Sequence, residues 1–307
     1  MPKNIRLSTL PLALTLLAAC TAGGGSSPAA SEAASGAAGA DCTADSLETI
    51  ADGRLTIGTS NPAYPPYFEI PDEAAGEVPT EPWALGDPTN GRGFESAVAY
   101  AIAEELGYSR EDVDWIEIPF DLSYAPGEKD FDLTLQQISY TPERAEVVDM
   151  SEGYFFVNQA LVAKSGSDIA GATTVEELKP FALGVASGTT SLSYVSEVIQ
   201  PDEEASVYND NDAAIAALDA EQIDGIVVDV PTAFFITGSE QVENGVIVGQ
   251  FPPADDEQER FSVVLEKDNA LTECVNQAIA TLTESGDLDA ITQEWMSENA
   301  GAPEITP

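Results

Sequence analysis

The chain of 307 residues contains no histidine. The commonest general base, proton shuttle and metal-ligating side chain is therefore missing. No Ser-His-Asp or Cys-His nucleophile can be assembled, so any acid–base chemistry would fall to carboxylates alone, and a binding role takes precedence over a catalytic one. Positive charge is also scarce. Lys and Arg number 11 against 54 Asp and Glu, a formal net charge of −43. That balance makes nucleic acid and anionic lipid surfaces poor partners for the folded part. The acids spread along the whole chain, which fits a solvated acidic surface better than one cation site. There are three cysteines, and the N-terminal apolar stretch, Leu7 to Leu16 with Pro11 inside it, is too short to cross a bilayer as a helix.

Lys3 and Arg6 precede that stretch, and Leu17-Ala18-Ala19-Cys20 closes it. A basic start, a short apolar middle and small residues before a cysteine resemble a bacterial lipobox. The resemblance implies a signal peptide over 1–19, cleavage before Cys20, lipid on its sulfur, and an exported protein anchored to the outer face of the cell membrane. Removing Lys3 and Arg6, with no acid ahead of Cys20, takes the charge from −43 to −45. Thr21 to Ala40 is almost all Ala, Gly and Ser, a composition that cannot offset its ordering entropy. The lipidated cysteine and a flexible linker are assigned to 20–52. Cys42 and Cys274 remain as an even pair in an oxidising compartment, which reads as a disulfide, with two free thiols as the other state open to them.

Strand and helix patterns alternate over the rest. Strands are expected at Arg54 to Ser60, Val113 to Ile118, Phe131 to Leu135, Phe181 to Ala186 and Ile223 to Asp229. Helices are expected at Phe94 to Gly107, Thr190 to Ile199, Ala213 to Ala220, 268–284 and 287–299. Pro71 to Arg92 is a long Pro- and Gly-rich loop, and Asp121 to Asp130 contains Pro126-Gly127, so it is no continuous helix. The alternation indicates an α/β protein of two Rossmann-like lobes with mixed, mostly parallel sheets.

Five stretches carry a family resemblance in their order and spacing. Tyr64-Pro65-Pro66-Tyr67-Phe68 follows the first strand, and Gly93-Phe94-Glu95 opens the first helix. Ser139-Tyr140-Thr141-Pro142-Glu143-Arg144 precedes Val147-Val148-Asp149. Ser187-Gly188-Thr189-Thr190 and Asp224-Gly225-Ile226-Val227-Val228-Asp229 follow. Together they resemble the family 3 extracellular solute-binding proteins, receptors of ABC importers, over about residues 53–300. The resemblance implies a type II periplasmic binding protein fold, with lobe 1 at 53–160 plus 261–300 and lobe 2 at 161–260. The hinge segments would fall near Val157 to Val162 and Arg260 to Leu265. It also implies an amino-acid ligand in the cleft, an ABC permease as partner, no cofactor and no metal, and a monomer touching the membrane only through its anchor.

The residue chemistry suits that role. A free amino acid presents a carboxylate and an ammonium, and Arg144 can grip the carboxylate as a bidentate fork. An ion pair with Glu143 or Glu146 is its other reading. Thr189 and Thr190, after Gly188 at an expected helix start, offer N–H groups and hydroxyls to the same carboxylate; plain capping of the helix by Ser187 or Thr189 is the other reading. Asp229 ends an Ile-Val-Val strand where a carboxylate is out of character, and its family counterpart binds the ammonium; capping the helix that opens at Pro231 is the alternative. Ser139 and Thr141 can bond either end of the ligand. Tyr64 and Phe120 match the family's aromatic walls, or belong to the core. Ala97 stands where the family usually has an acid. Asn61, where receptors for cationic amino acids often carry an acid, and Gln136-Gln137 lean toward a neutral, glutamine-like ligand. Two other functions share the fold: a carboxylate-dependent dehydratase using Glu69, Glu95 or Asp229, and a ligand-sensing surface lipoprotein.

Overall fold

The chain folds into two five-stranded sheets, each flanked by helices, in a computed structural model that describes residues 42–254, 258–296 and 302–307. The signal segment, Cys20 and the Ala/Gly/Ser-rich stretch lie outside the described residues. No helix among the described residues is long and apolar enough to cross a membrane.

The first sheet contains β1 (Leu55–Thr59), β2 (Val113–Glu117), β3 (Leu133–Thr134), β4 (Asp149–Phe156) and β10 (Arg260–Leu265), in the order β2-β1-β3-β10-β4. The second contains β5 (Gln159–Lys164), β6 (Leu183–Ala186), β7 (Ser206–Tyr208), β8 (Gly225–Asp229) and β9 (Gly245–Gln250), in the order β7-β6-β8-β5-β9. In each sheet the first three strands run parallel, and the last two join antiparallel. The chain leaves β4 at the edge of sheet one and enters the fourth place of sheet two as β5. It leaves β9 at the edge of sheet two and returns to the fourth place of sheet one as β10. The two passages are therefore Val157-Asn158 and the longer stretch 251–259, so Gln159 to Val162 and Arg260 to Leu265 are strand rather than hinge.

Helices cover the sheets: α1 (Phe94–Glu105), α2 (Phe120–Ser123), α3 (Pro142–Val147), α4 (Val175–Leu178), α5 (Thr190–Tyr194), α6 (Asn211–Asp219), α7 (Val230–Gly238), α8 (Leu271–Ser285) and α9 (Asp287–Met296). The helix expected over Thr190 to Ile199 is α5 continued by a π-helical turn, Val195–Ile199. In lobe 1, Phe94, Val98 and Ile102 of α1 pack with Val275 and Ile279 of α8 against Leu55, Ile57 and Phe261. Lobe 2 splits its core across the two faces of its sheet, with Val185 and Val227 on one side and Ile226 and Val228 on the other. Period-2 alternation explains that division in fully buried strands.

Two terminal segments depart from expectation. Residues 42–52, assigned to the linker with the Ala/Gly/Ser stretch, are tied to lobe 1. Cys42 is disulfide-bonded to Cys274 of α8 (Cα–Cα 5.3 Å), Leu47 packs on the core, and the Ile50 N–H donates to Asp132 Oδ1 at 2.8 Å. At the other end, 302–307 lies along lobe 2. Ile305, 1% exposed, enters that lobe's core, and its N–H donates to Gln250 O at 2.8 Å.

Candidate ligand site between the lobes

Arg144 sits on α3, whose start is fixed by Thr141 and Pro142. The Thr141 hydroxyl accepts the Arg144 N–H at 3.2 Å, and Pro142 occupies the first turn, where its missing N–H costs nothing. The guanidinium is buried at 8% exposure. Nη1 donates to Ser139 O at 2.6 Å within lobe 1, and Nη2 donates across the interlobe boundary to Gly188 O at 2.8 Å. Its plane lies 4.4 Å from the Tyr124 ring centre and 5.7 Å from that of Phe120. Burial pulls its pKa down from the ordinary arginine value, while Tyr124, Glu259 and Asp229 act in the opposite direction. Among the described residues it has no carboxylate within 4 Å, so the pairing with Glu143 or Glu146 does not form.

Gly188 has φ +72°, and a Cβ there would meet the Tyr124 hydroxyl at 2.5 Å. A side chain at this position would push Arg144 and Tyr124 off the carbonyl they share. Thr189 is a cap: its hydroxyl donates to Ala186 O at 2.8 Å and accepts the Leu192 N–H at 3.3 Å. Thr190 instead points its hydroxyl at Glu259.

Glu259, at the end of the second passage, is the centre that sequence reasoning missed. It accepts hydrogen bonds from Ser139 Oγ of lobe 1, from Thr190 Oγ1 of lobe 2, and from Gln159 Nε2 at 2.9 Å. Gln159 Nε2 also donates to Asp229 Oδ1 at 2.8 Å, and Gln159 Oε1 accepts from Ser191 Oγ at 2.6 Å. Gln159 and Asp229 are direct partners across β5 and β8. Asp229 makes no side-chain cap to α7. Burial, then the nearby Glu259 charge, push its pKa well above the usual carboxylate range. Gln159 had a visible signal, a polar residue just ahead of the apolar run Ala160 to Ala163. Glu259 had none, because it closes an acid-rich run of sequence, Asp255-Asp256-Glu257-Gln258-Glu259, whose members look alike.

A cleft of about 800 Å³ opens at this junction, lined on lobe 1 by Thr141 and Arg144, on lobe 2 by Gly188, Thr189 and Thr190, and by Glu259. Ser139 and Asp229 reach it only through Glu259 and Gln159. Tyr64 and Phe120 lie outside its wall. The Tyr64 hydroxyl donates to Asp212 of lobe 2 at 2.6 Å, its ring lies 5.8 Å from that of Phe235, and burial with Asp212 raises its pKa. Phe120 packs edge-on against Tyr124 at 5.4 Å. Asn61 pins the long loop, donating to Pro82 O at 2.9 Å and accepting from the Ala84 N–H at 3.0 Å. Gln137 serves Glu95, whereas Gln136 keeps a buried Oε1 with no partner.

Residues 74–298 match the model of the bacterial extracellular solute-binding proteins, family 3. The chain belongs to that family. Among curated relatives of this solute-binding protein, the arginine-binding extracellular protein ArtP of Bacillus subtilis is 25% identical over 222 residues, covering 71% of this chain and 82% of ArtP. The ABC transporter glutamine-binding protein GlnH of Bacillus subtilis is 24% identical over 304 residues, covering 97% and 99%. An ancestral arginine-binding protein solved with arginine superposes with a TM-score of 0.62 at 26% identity, covering 79% of this chain and 98% of that one. The two-lobe α/β architecture is thus that of the periplasmic binding proteins of type II.

Proposed function

We propose that this solute-binding protein is an extracellular receptor, held at the outer face of the cell membrane by lipid on Cys20, that traps one polar amino acid between its lobes and delivers it to the permease of an ABC importer. The observation that carries this reading is Arg144, a buried guanidinium at the lobe boundary with no carboxylate of the described residues within 4 Å. A desolvated guanidinium is costly unless an anion accompanies it, and a planar carboxylate matches its fork. Asp229, out of character on its strand, has its pKa raised by burial and by Glu259, and the arrival of the ligand's ammonium favours its charged form. Arg144 belongs to lobe 1, Asp229 and Thr190 to lobe 2, so one zwitterion touching all three favours the closed arrangement through differential contacts. The ligand's side chain is neutral and polar, glutamine-like.

Isothermal titration of the purified chain against the twenty amino acids, after unfolding and refolding to strip carried-over ligand, tests the reading. One-to-one binding of one or a few is expected, with Arg144→Ala and Asp229→Ala each weakening it at least tenfold while the circular dichroism is unchanged. A folded protein that binds none of them, or two variants of undiminished affinity, would refute the site. For the anchor, Cys20→Ala should release the protein from the membrane fraction.

A further inference from the structure

Glu259 holds two of the hydroxyls, Ser139 and Thr190, that a ligand carboxylate on Arg144 is expected to reach. We infer that Glu259 is an internal occupant of the ligand carboxylate's seat, so that capture of an amino acid exchanges one carboxylate for another and Glu259 sets the affinity. The inference rests on the receptor reading above and goes past it in naming what the ligand must displace.

The donor set supports this. Ser139 Oγ comes from lobe 1, Thr190 Oγ1 from lobe 2 and Gln159 Nε2 from the strand that follows the first passage. Three donors from separate elements converging on one carboxylate form a built anion seat. Two of them, Ser139 and Thr190, are residues the sequence motifs assign to the ligand. Glu259 bridges the lobes as a bound carboxylate would, and it lines the same cleft as Arg144. A second carboxylate arriving on Arg144 and Thr190 would share Thr190 with Glu259. Asp229 already sits one Gln159 amide away from it, within two hydrogen bonds of 2.8 and 2.9 Å. A third carboxylate brought to this cluster is repelled by the two already there. Moving Glu259 aside relieves that repulsion and leaves Asp229 for the ammonium.

Glu259 is placed to be the one that leaves. Its side chain is only partly buried and faces the cleft. Its backbone carbonyl accepts the Val157 N–H at 2.9 Å, which links the two passages. Because that bond involves main chain alone, the carboxylate can turn into the cleft by a rotamer change while the hinge stays intact. The exchange is neutral in charge: one carboxylate departs from the donors and another takes them. The free energy of ligand binding is therefore reduced by the interactions Glu259 gives up.

The test compares wild type, Glu259→Gln and Glu259→Ala by isothermal titration, using free amino acids and the α-amide of each amino acid that binds. Both substitutions keep the backbone bond to Val157, and melting curves report whether each variant folds. The expected result is affinity for the free acids raised at least tenfold in both variants. No such gain is expected for the amides, which carry no carboxylate to place in the vacated seat. Binding by the variants where wild type is silent would equally support the exchange. Unchanged or weaker affinity for the free acids would overturn it, and weakening confined to cationic amino acids would make Glu259 a direct ligand contact instead. Silence of all three folded proteins across the panel would remove the receptor reading and this inference with it.

Discussion

Glu95, the third residue of the Gly93-Phe94-Glu95 motif, is fully buried at the start of α1. Its carboxyl accepts the Gln137 N–H at 2.7 Å, the Gln137 side-chain amide and the Tyr154 hydroxyl. Burial outweighs these bonds and pushes its pKa from 4.5 up to about 7. An acid whose pKa is higher folded than unfolded binds more protons when folded, so its contribution to stability is largest at low pH. That contribution is lost as pH rises from about 4.5 through 7. The span corresponds to about 3 kcal/mol at 1.36 kcal/mol per pH unit. Glu95→Gln removes the titration while keeping an acceptor for Tyr154. Its stability relative to wild type should therefore improve by about 3 kcal/mol between pH 4.5 and pH 8, whatever fixed offset the altered hydrogen bonds impose. Urea melts of both proteins at half-unit pH steps, at constant ionic strength, measure this difference. The remaining acids repel one another in both proteins and cancel. A stability difference that stays flat from pH 4.5 to 8, or grows in wild type's favour, would show that Glu95 is ionised throughout and that its three donors outweigh burial.

Cys42→Ser with Cys274→Ser should cost about 2–5 kcal/mol, because the cross-link spans 232 residues and restrains the unfolded chain; intact mass with and without reductant should differ by two hydrogen atoms before any substitution. Gly93→Ala should cost about 3 kcal/mol, since φ is +93° and the new Cβ would stand 2.6 Å from Tyr67 O and Phe68 Cα; a melting temperature within a degree of wild type would refute that crowding.

Much of the fold was legible because its parallel strands are short apolar runs closed by turn residues, each followed by a helical pattern. Leu55–Thr59, Leu183–Ala186 and Gly225–Asp229 were all visible that way. The antiparallel strands were less so. Asp149–Phe156 alternates around Glu152 and Gly153 and looks like a loop, and Gln159–Lys164 reads as a hinge because nothing local says that β4 and β5 belong to different sheets. That division depends on long-range pairing, Phe261 with Phe155 and Gln159 with Asp229, which no window of sequence contains. The same holds for the site. Arg144 and Asp229 stand out locally, one as a rare cation in a motif, the other as a charge ending an apolar strand. Glu259 acquires its role only when Ser139, Gln159 and Thr190, up to 120 residues away, converge on it.

The C-terminal segment was invisible for a related reason, and it bears on how far the lobes can part. α9 packs in lobe 1, yet 302–307 runs beside β9 and α4 of lobe 2. Gln250 donates its N–H to Pro303 O at 2.7 Å, and the Thr306 N–H donates to Thr173 O at 2.9 Å. Six Cα–Cα steps separate Met296 from Ala302, a reach of roughly 20 Å at full extension, so the segment is a third tie between lobes with a fixed upper limit on opening. It also braces Gln250, the last residue before the passage that ends in Glu259, while the next N–H, Phe251, donates to Gln159 O at 2.8 Å. Ending the chain at residue 301 withdraws Ile305 from the lobe 2 core, a loss of about 2–5 kcal/mol by comparison with Ile→Ala substitutions. It also frees the base of the passage, so the truncated chain should melt earlier and scatter X-rays as a more open molecule in the absence of ligand. Ile305→Ala in the full chain should reproduce the melting loss without the change in scattering, because the backbone bonds to Gln250 and Thr173 survive. If truncation and Ile305→Ala scatter alike, the segment packs on lobe 2 without restraining the lobes.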